Sequence, residues 1–202
     1  MPLIEVRPIT RSVRLGLWRM TETPAELLRH YPSLQPLWAE VSSRYRSEAR
    51  QMERLCAHAL LAEMTGRSNL AIGHAPSGRP LVDGYELSIS HTRGYAALML
   101  SDGERVAVDI EQRSDRVKRI AHKFIRSDET AESVDDMLAV WSAKETIYKL
   151  YSEDELQYHE MQTTAITADC LMVRNLKRSE QVPVRLEWSA DYVLTYALRS
   201  DK

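Results

Sequence analysis

The chain has 202 residues, of which 44% are hydrophobic and 28% charged, and its formal net charge is −2. This composition is typical of a globular protein with one large or two small domains, and it lacks the basic excess of general nucleic-acid binders. No apolar run is long enough for a signal peptide or a membrane span, so we expect a cytoplasmic protein that binds neither nucleic acid nor membrane.

The first half of the chain predicts strands followed by helices. Residues 3–6 and 13–17 alternate between apolar and polar side chains, as strands do. A capping box at residues 23–26 predicts a helix start, and residues 43–64 show helical periodicity that ends at Gly66. The N-terminal half of that second helix carries four arginines, which are either a solvated face or an anion site: Arg44, Arg46, Arg50 and Arg54.

A turn at residues 77–80 precedes a predicted three-stranded meander. Its strands are residues 87–90, 95–100 and 105–111, and Asp102-Gly103 forms the turn between the last two. Side chains alternate along a strand, so Asp109 and Glu111 point to the same face of the third strand. They are either solvent-facing carboxylates or part of a site.

The second half predicts two helices and four strands. Residues 116–125 read as a helix whose outward side is basic, formed by Arg116, Arg119, Lys123 and Arg126. Residues 135–151 have near-helical apolar spacing without Pro or Gly, and they place Trp141, Glu145 and Lys149 on one face. That face is either an ordinary Glu–Lys pair or a reactive group. The strands lie near residues 163–166, 171–174, 184–188 and 192–198.

This order of elements predicts an α+β fold with two similar α/β subdomains. We place the subdomains at residues 1–103 and 104–202, with the active site at their interface. The three carboxylates of Asp109, Glu111 and Glu145 are hard oxygen ligands suited to Mg²⁺, which takes phosphate oxygens as further ligands. Four bases are candidates for holding a pyrophosphate on that metal: Lys144, Lys149, Arg79 and His91.

Three separated motifs resemble the ordered signatures of the 4′-phosphopantetheinyl transferase superfamily. They are Ser88-Ile89-Ser90-His91-Thr92, Val106-Ala107-Val108-Asp109-Ile110-Glu111, and Trp141-Ser142-Ala143-Lys144-Glu145-Thr146-Ile147-Tyr148-Lys149. Gly78-Arg79-Pro80 is similar to a further element of that family, and the resemblance runs from about residue 44 to residue 151. The length resembles that of the longer single-chain (surfactin-synthetase-activating) type, which implies a pseudo-twofold arrangement of the two subdomains. Because one chain then holds both halves, we expect a monomer.

The resemblance implies an enzyme that uses Mg²⁺ to transfer 4′-phosphopantetheine from coenzyme A to a serine of an apo acyl or peptidyl carrier protein. It implies Asp109, Glu111 and Glu145 as Mg²⁺ ligands, with Glu145 also the base and Lys149 assisting the leaving group. It implies that the nucleotide and its phosphates are contacted by Arg50, Arg79, Ser90, His91, Lys144 and Lys149. The basic stripe, if it is not simply solvated, would then steer an acidic carrier protein.

Two departures from the family pattern leave other functions open. His58 stands where family members often have an arginine, so either Arg50 or His58 is the contact to coenzyme A from this helix, and Thr146 replaces a residue that is commonly Ala or Ser. The alternatives are a non-enzymatic module of the same fold that binds coenzyme A or a carrier protein, and an unrelated Mg²⁺-dependent phosphodiesterase.

Overall fold

Helices and strands in similar amounts make up the described part of the chain, residues 2–199 of a computed structural model, which confirms the mixed α+β class. The contacts divide it into two units, unit 1 (Met1–Glu104) and unit 2 (Arg105–Lys202). Within residues 2–199, no helix is both long and apolar enough to cross a membrane.

Unit 1 packs helices against a four-stranded antiparallel sheet of order β1-β2-β6-β5. Its elements are β1 (Leu3–Pro8), β2 (Val13–Arg19), α1 (Pro24–His30), α2 (Gln35–Arg44), α3 (Glu48–Thr65), β3 (Gly73–His74), β4 (Pro80–Leu81), β5 (Glu86–Thr92) and β6 (Tyr95–Ser101). A Cβ on Gly16 of β2 would lie 2.8 Å from Leu60 and 2.7 Å from Met64, so glycine lets α3 approach the sheet closely.

The helix predicted from residue 43 begins later than expected. Helix α2 ends at Arg44, an extended Tyr45 interrupts the helical backbone, and α3 starts at Glu48. The buried side chains behind the predicted periodicity begin at Met52 within α3, whereas residues 42–50 are exposed apart from the half-buried Tyr45. The predicted end is confirmed, since Gly66 caps α3 in the left-handed conformation with φ 69°.

Unit 2 is a five-stranded antiparallel sheet of order β7-β11-β10-β9-β8 with one long helix across it. Its elements are β7 (Arg105–Gln112), α4 (Ala121–Phe124), α5 (Val134–Leu150), β8 (Met161–Ile166), β9 (Cys170–Asn175), β10 (Glu180–Trp188) and β11 (Tyr192–Arg199). The apolar face of α5 forms one core with the sheet, in which Ala143, Ile147 and Leu150 contact strand residues such as Ala107 and Val193.

Two predictions for this region are wrong. The expected three-stranded meander is a β5–β6 hairpin only, because β7 pairs with β11, with Asp109 opposite Thr195. The helix expected at residues 116–125 is a 3-10 turn (Asp115–Arg119) followed by the four residues of α4. Val117 and Phe124 of this segment are nevertheless both buried in the unit 2 core.

A buried ion pair ties α5 to the segments around it. The ammonium of Lys144 lies 2.8 Å from Glu129, and the two side chains are 0% and 1% exposed. Lys144 also donates to the carbonyl oxygen of Phe124 at 2.6 Å, and Glu129 accepts backbone hydrogen bonds from Arg126 at 2.8 Å and Thr163 at 2.6 Å. Because both charges have several partners, the pair can stay ionised in the interior.

Lys144→Met is expected to lower the free energy of unfolding by about 3–5 kcal/mol, because it leaves the buried Glu129 carboxylate without its cation. Chemical denaturation followed by circular dichroism measures this. Lys177→Met is the matched control, since the Lys177–Glu160 pair is 3.2 Å apart but 41% and 35% exposed, and its loss should cost less than about 1 kcal/mol. Equal losses in the two variants would contradict the structural role of Lys144.

His58 fastens α3 to the loop that follows it. Its Nδ1 lies 3.0 Å from the carbonyl oxygen of Arg54, and its Nε2 accepts the backbone N–H of Ile72 at 3.4 Å. Because Nε2 accepts, the proton is on Nδ1 and the imidazole is neutral. Burial lowers the pKa of His58, the Arg54 carbonyl opposes that shift, and the Arg54 charge adds to it.

This neutral histidine makes unit 1 sensitive to acid. Because the pKa of His58 is lowered in the folded chain, the unfolded chain binds a proton at this residue at a higher pH than the folded chain does. The free energy of unfolding therefore falls as the pH drops below 6.5. His58→Gln removes that proton uptake and should unfold with a shallower pH dependence than the wild type. Urea unfolding between pH 7.5 and pH 5 measures both slopes, and parallel slopes would contradict the assignment.

Candidate functional site

Helix α5 presents the predicted reactive face. Its start is set by a capping box between Ser133 and Asp136, and no Pro or Gly interrupts it. Trp141, Glu145 and Lys149 are all half-buried, while Ala143 and Ile147 between them are buried in the core. Each of the three side chains forms a hydrogen bond to another residue of unit 2.

Asp109 of β7 is bound from two sides by α5. It is 3% exposed, its Oδ1 accepts from the Lys149 ammonium at 2.8 Å, and its Oδ2 accepts from the Ser142 hydroxyl at 2.8 Å. Lys149 also donates to the carbonyl oxygen of Val108 at 3.0 Å. The strand and the helix are thus joined by hydrogen bonds between residues of the two predicted motifs.

A chain of buried hydroxyls supports Asp109. The Ser142 oxygen lies 2.8 Å from Oγ1 of Thr195, and that atom lies 2.7 Å from Oγ1 of Thr146. Thr195 and Thr146 are both 0% exposed. Sequence reasoning missed Thr195, because its role follows from the pairing of β11 with β7, and it treated Thr146 as a minor departure.

Two aromatic side chains hold the other two carboxylates. The indole nitrogen of Trp141 donates to Glu111 Oε1 at 2.8 Å, and the Tyr158 hydroxyl donates to Glu145 Oε1 at 2.7 Å. Within residues 2–199, no hydrogen bond reaches the second oxygen of either glutamate. Tyr158 was not among the predicted site residues, because it lies outside every motif.

Burial and the repulsion from neighbouring carboxylates raise the pKa values of Glu111 and Glu145. Burial is the largest cause for Glu111, whose pKa is raised to about 7, and the charges of Asp109 and Glu145 add to it. Burial also raises the pKa of Glu145, against the hydrogen bond from Tyr158, and the Asp109 charge contributes. A cation placed among these groups would be favoured for the same reason.

The structure does not gather a three-carboxylate metal centre. Throughout the described residues, no three side chains of His, Cys, Asp or Glu lie close enough to hold one metal ion. Asp109 explains the difference from the sequence-based picture, because both its oxygens face protein donors, Lys149 and Ser142. The oxygens that accept no hydrogen bond belong to Glu111 and Glu145, and they have the hard character that Mg²⁺ prefers.

The structure argues against Lys144 as a contact to coenzyme A. Its ammonium is fully buried against Glu129, as described above. The sequence placed Lys144 in the site because it adjoins Glu145, but neighbouring residues on a helix point in different directions. Its contribution to the site is structural.

In unit 1, Arg50 and His91 meet at one carboxylate. Glu53 lies 3.7 Å from the Arg50 guanidinium and 3.5 Å from Nε2 of His91. The Arg50 side chain is 66% exposed and that of His91 is 40% exposed, so both can reach a ligand. His58, the other candidate on α3, is buried with both ring nitrogens engaged, which favours Arg50.

The remaining predicted ligands of unit 1 lie along or beside β5. His91 is inside this strand rather than just beyond its end, because β5 continues to Thr92. Ser90 is 7% exposed. The Arg79 guanidinium lies 2.6 Å from Glu86 at the start of the strand, so the structure does not place it with Arg50 and His91 around Glu53.

Residues 105–197 match the family model described as the 4′-phosphopantetheinyl transferase superfamily. The match begins at the first residue of unit 2 and extends into β11, so it includes Asp109, Glu111 and the whole of α5. The motifs around Arg79 and His91 lie outside it. No curated protein matches the chain. Residues 105–197, which form most of unit 2, are therefore similar to the 4′-phosphopantetheinyl transferase superfamily.

Proposed function

We propose that the protein transfers 4′-phosphopantetheine from coenzyme A to a serine of an apo carrier protein and releases 3′,5′-ADP. The observation that carries the proposal is the set of groups on α5 and β7, where Asp109, Glu111, Glu145 and Lys149 lie together inside the region of the family match. In the transfer, a bond forms between the serine oxygen and the β-phosphorus, and the bond from that phosphorus to the 3′,5′-ADP oxygen breaks.

Glu145 is the proposed base for the serine proton. Its raised pKa favours proton acceptance, and its Oε2 accepts no hydrogen bond from the described residues. Lys149 is the proposed partner of the pyrophosphate. Its ammonium lies 2.8 Å from Asp109 and its side chain is 26% exposed, so it can reach a bound pyrophosphate and stabilise the departing phosphate oxygen.

Four residues of unit 1 are the proposed contacts to the nucleotide end of coenzyme A: Arg50, Arg79, Ser90 and His91. Exposed guanidinium and imidazole groups suit phosphates, and Glu53 already orients two of them.

Mg²⁺ is the proposed metal, with ligands drawn from Asp109, Glu111 and Glu145. Mg²⁺ in proteins often takes only one or two carboxylates together with waters and phosphate oxygens, so a preformed cage of three is not required. When bound, it would neutralise the pyrophosphate and polarise its oxygens. The raised pKa of Glu111 supports this assignment, because it reflects negative charge that a divalent cation would relieve.

The exposed bases of the 3-10 turn and of α4 are the proposed guide for the carrier protein. Arg116, Arg119 and Lys123 are exposed and would attract an acidic partner. Arg126, the fourth residue of the predicted stripe, bonds instead to Asp128 at 2.8 Å and to the His159 carbonyl oxygen, so we leave it out.

The wild-type protein is expected to add a phosphopantetheine-sized mass to at least one apo carrier protein when coenzyme A and Mg²⁺ are present. Intact mass spectrometry of fatty-acid, polyketide and peptide-synthetase carriers measures this. EDTA should abolish the gain and excess Mg²⁺ should restore it. A control transferase that modifies the same carrier batches, with no gain from this protein, would overturn the proposal.

Glu145→Gln should lower the transfer rate by roughly 10²-fold or more, because it removes the base and one carboxylate of the metal site. Glu132→Gln is the matched control, since Glu132 is exposed just ahead of α5, and it should keep the wild-type rate. Thermal melting shows that both variants remain folded. Near-normal transfer by Glu145→Gln would refute the role of this residue.

A further inference from the structure

The Tyr158 hydroxyl reaches Glu145 from outside the motif. It donates to Oε1 at 2.7 Å, and the Tyr158 ring lies 5.2 Å from the Trp141 ring at an angle of 39°. Trp141 in turn donates to Glu111. Each of the two glutamates thus has one oxygen held by an aromatic donor, and the two donors contact each other.

The backbone of Tyr158 is fastened to the helix that carries Glu145. Tyr158 starts a 3-10 turn, Tyr158–Glu160, between α5 and β8. The Lys144 ammonium donates to its carbonyl oxygen at 3.4 Å, and Arg126 donates to the carbonyl oxygen of His159. The buried lysine that precedes Glu145 therefore also holds the turn that brings the hydroxyl to Glu145.

We propose that Tyr158 is a positioning residue that sets the orientation of the Glu145 carboxylate, and that the Lys144–Glu129 pair holds in place the turn that carries Tyr158. A glutamate side chain has three rotatable torsions, and a charge-assisted hydrogen bond to one oxygen restricts them. Oε1 accepts the hydrogen bond from the tyrosine, so Oε2 is the oxygen that accepts the serine proton. This inference rests on the proposed function, in which Glu145 accepts the serine proton.

Tyr158→Phe removes the hydroxyl and keeps the ring that packs on Trp141. We expect kcat for phosphopantetheine transfer to fall by about tenfold to a hundredfold, the factor that a hydrogen bond to a charged group is worth. KM for coenzyme A should change by less than about twofold, because Tyr158 contacts Glu145 rather than the nucleotide. Tyr148→Phe is the matched control, since Tyr148 is on the same helix as Glu145 but 43% exposed, and it should keep the wild-type kcat.

A double-mutant cycle separates positioning from a general structural effect. If Tyr158 acts through Glu145, the Tyr158→Phe/Glu145→Gln protein should be no slower than Glu145→Gln alone. Equal losses from Tyr158→Phe in both backgrounds would overturn the inference, as would a wild-type kcat in Tyr158→Phe. Absence of transfer by the wild type on every carrier would instead overturn the proposed function.

A second measurement does not depend on turnover. In protein labelled with ¹³C at the glutamate carboxyl, the Glu145 signal is the one missing from Glu145→Gln. It should shift in Tyr158→Phe and stay in place in Tyr148→Phe, with thermal melting showing that all variants are folded. An unmoved Glu145 signal in Tyr158→Phe would overturn the positioning role even if the wild type is an active transferase.

Discussion

The buried pair between Lys144 and Glu129 is the interaction on which the proposed catalytic face depends. It connects α5 to the segment before it and, through backbone groups, to β8 and to the turn at Tyr158. Glu145 adjoins this lysine and receives its hydrogen bond from that turn. Burying the Lys144 charge costs free energy, but the pair holds in place the segments that orient Glu145, whose carboxylate must stay partly accessible.

The second organising feature is the packing of α5 against β7. Lys149 and Ser142 of the helix both bind Asp109 of the strand, and Trp141 binds Glu111. These contacts bury the Glu111 carboxylate near two others, and its burial together with the charges of Asp109 and Glu145 raises its pKa to about 7. Such crowding of carboxylates lowers the stability of the fold. Phosphoryl-type transfer with a divalent ion is a reaction that would use it.

Much of this site could be predicted from local pattern. The alternation in β7 placed Asp109 and Glu111 on one face, and the spacing in α5 placed Trp141, Glu145 and Lys149 together. The prediction for Lys144 failed because adjacency in sequence was taken for adjacency in space. The three-stranded meander failed for a related reason, since a strand pattern does not reveal its pairing partner and β7 pairs with β11, far along the chain.

The sequence by itself determined the α+β class, the face of α5 and the family that residues 105–197 resemble, because periodicity and motif order are local properties of the chain. Only the tertiary structure decided which partner each acid has. The Thr195 hydroxyl reaches the Asp109 network through the β7–β11 pairing, and Tyr158 reaches Glu145 through a turn anchored by Lys144. Hydrogen bonds between distant segments depend on how those segments pack, and no spacing rule within one segment encodes them.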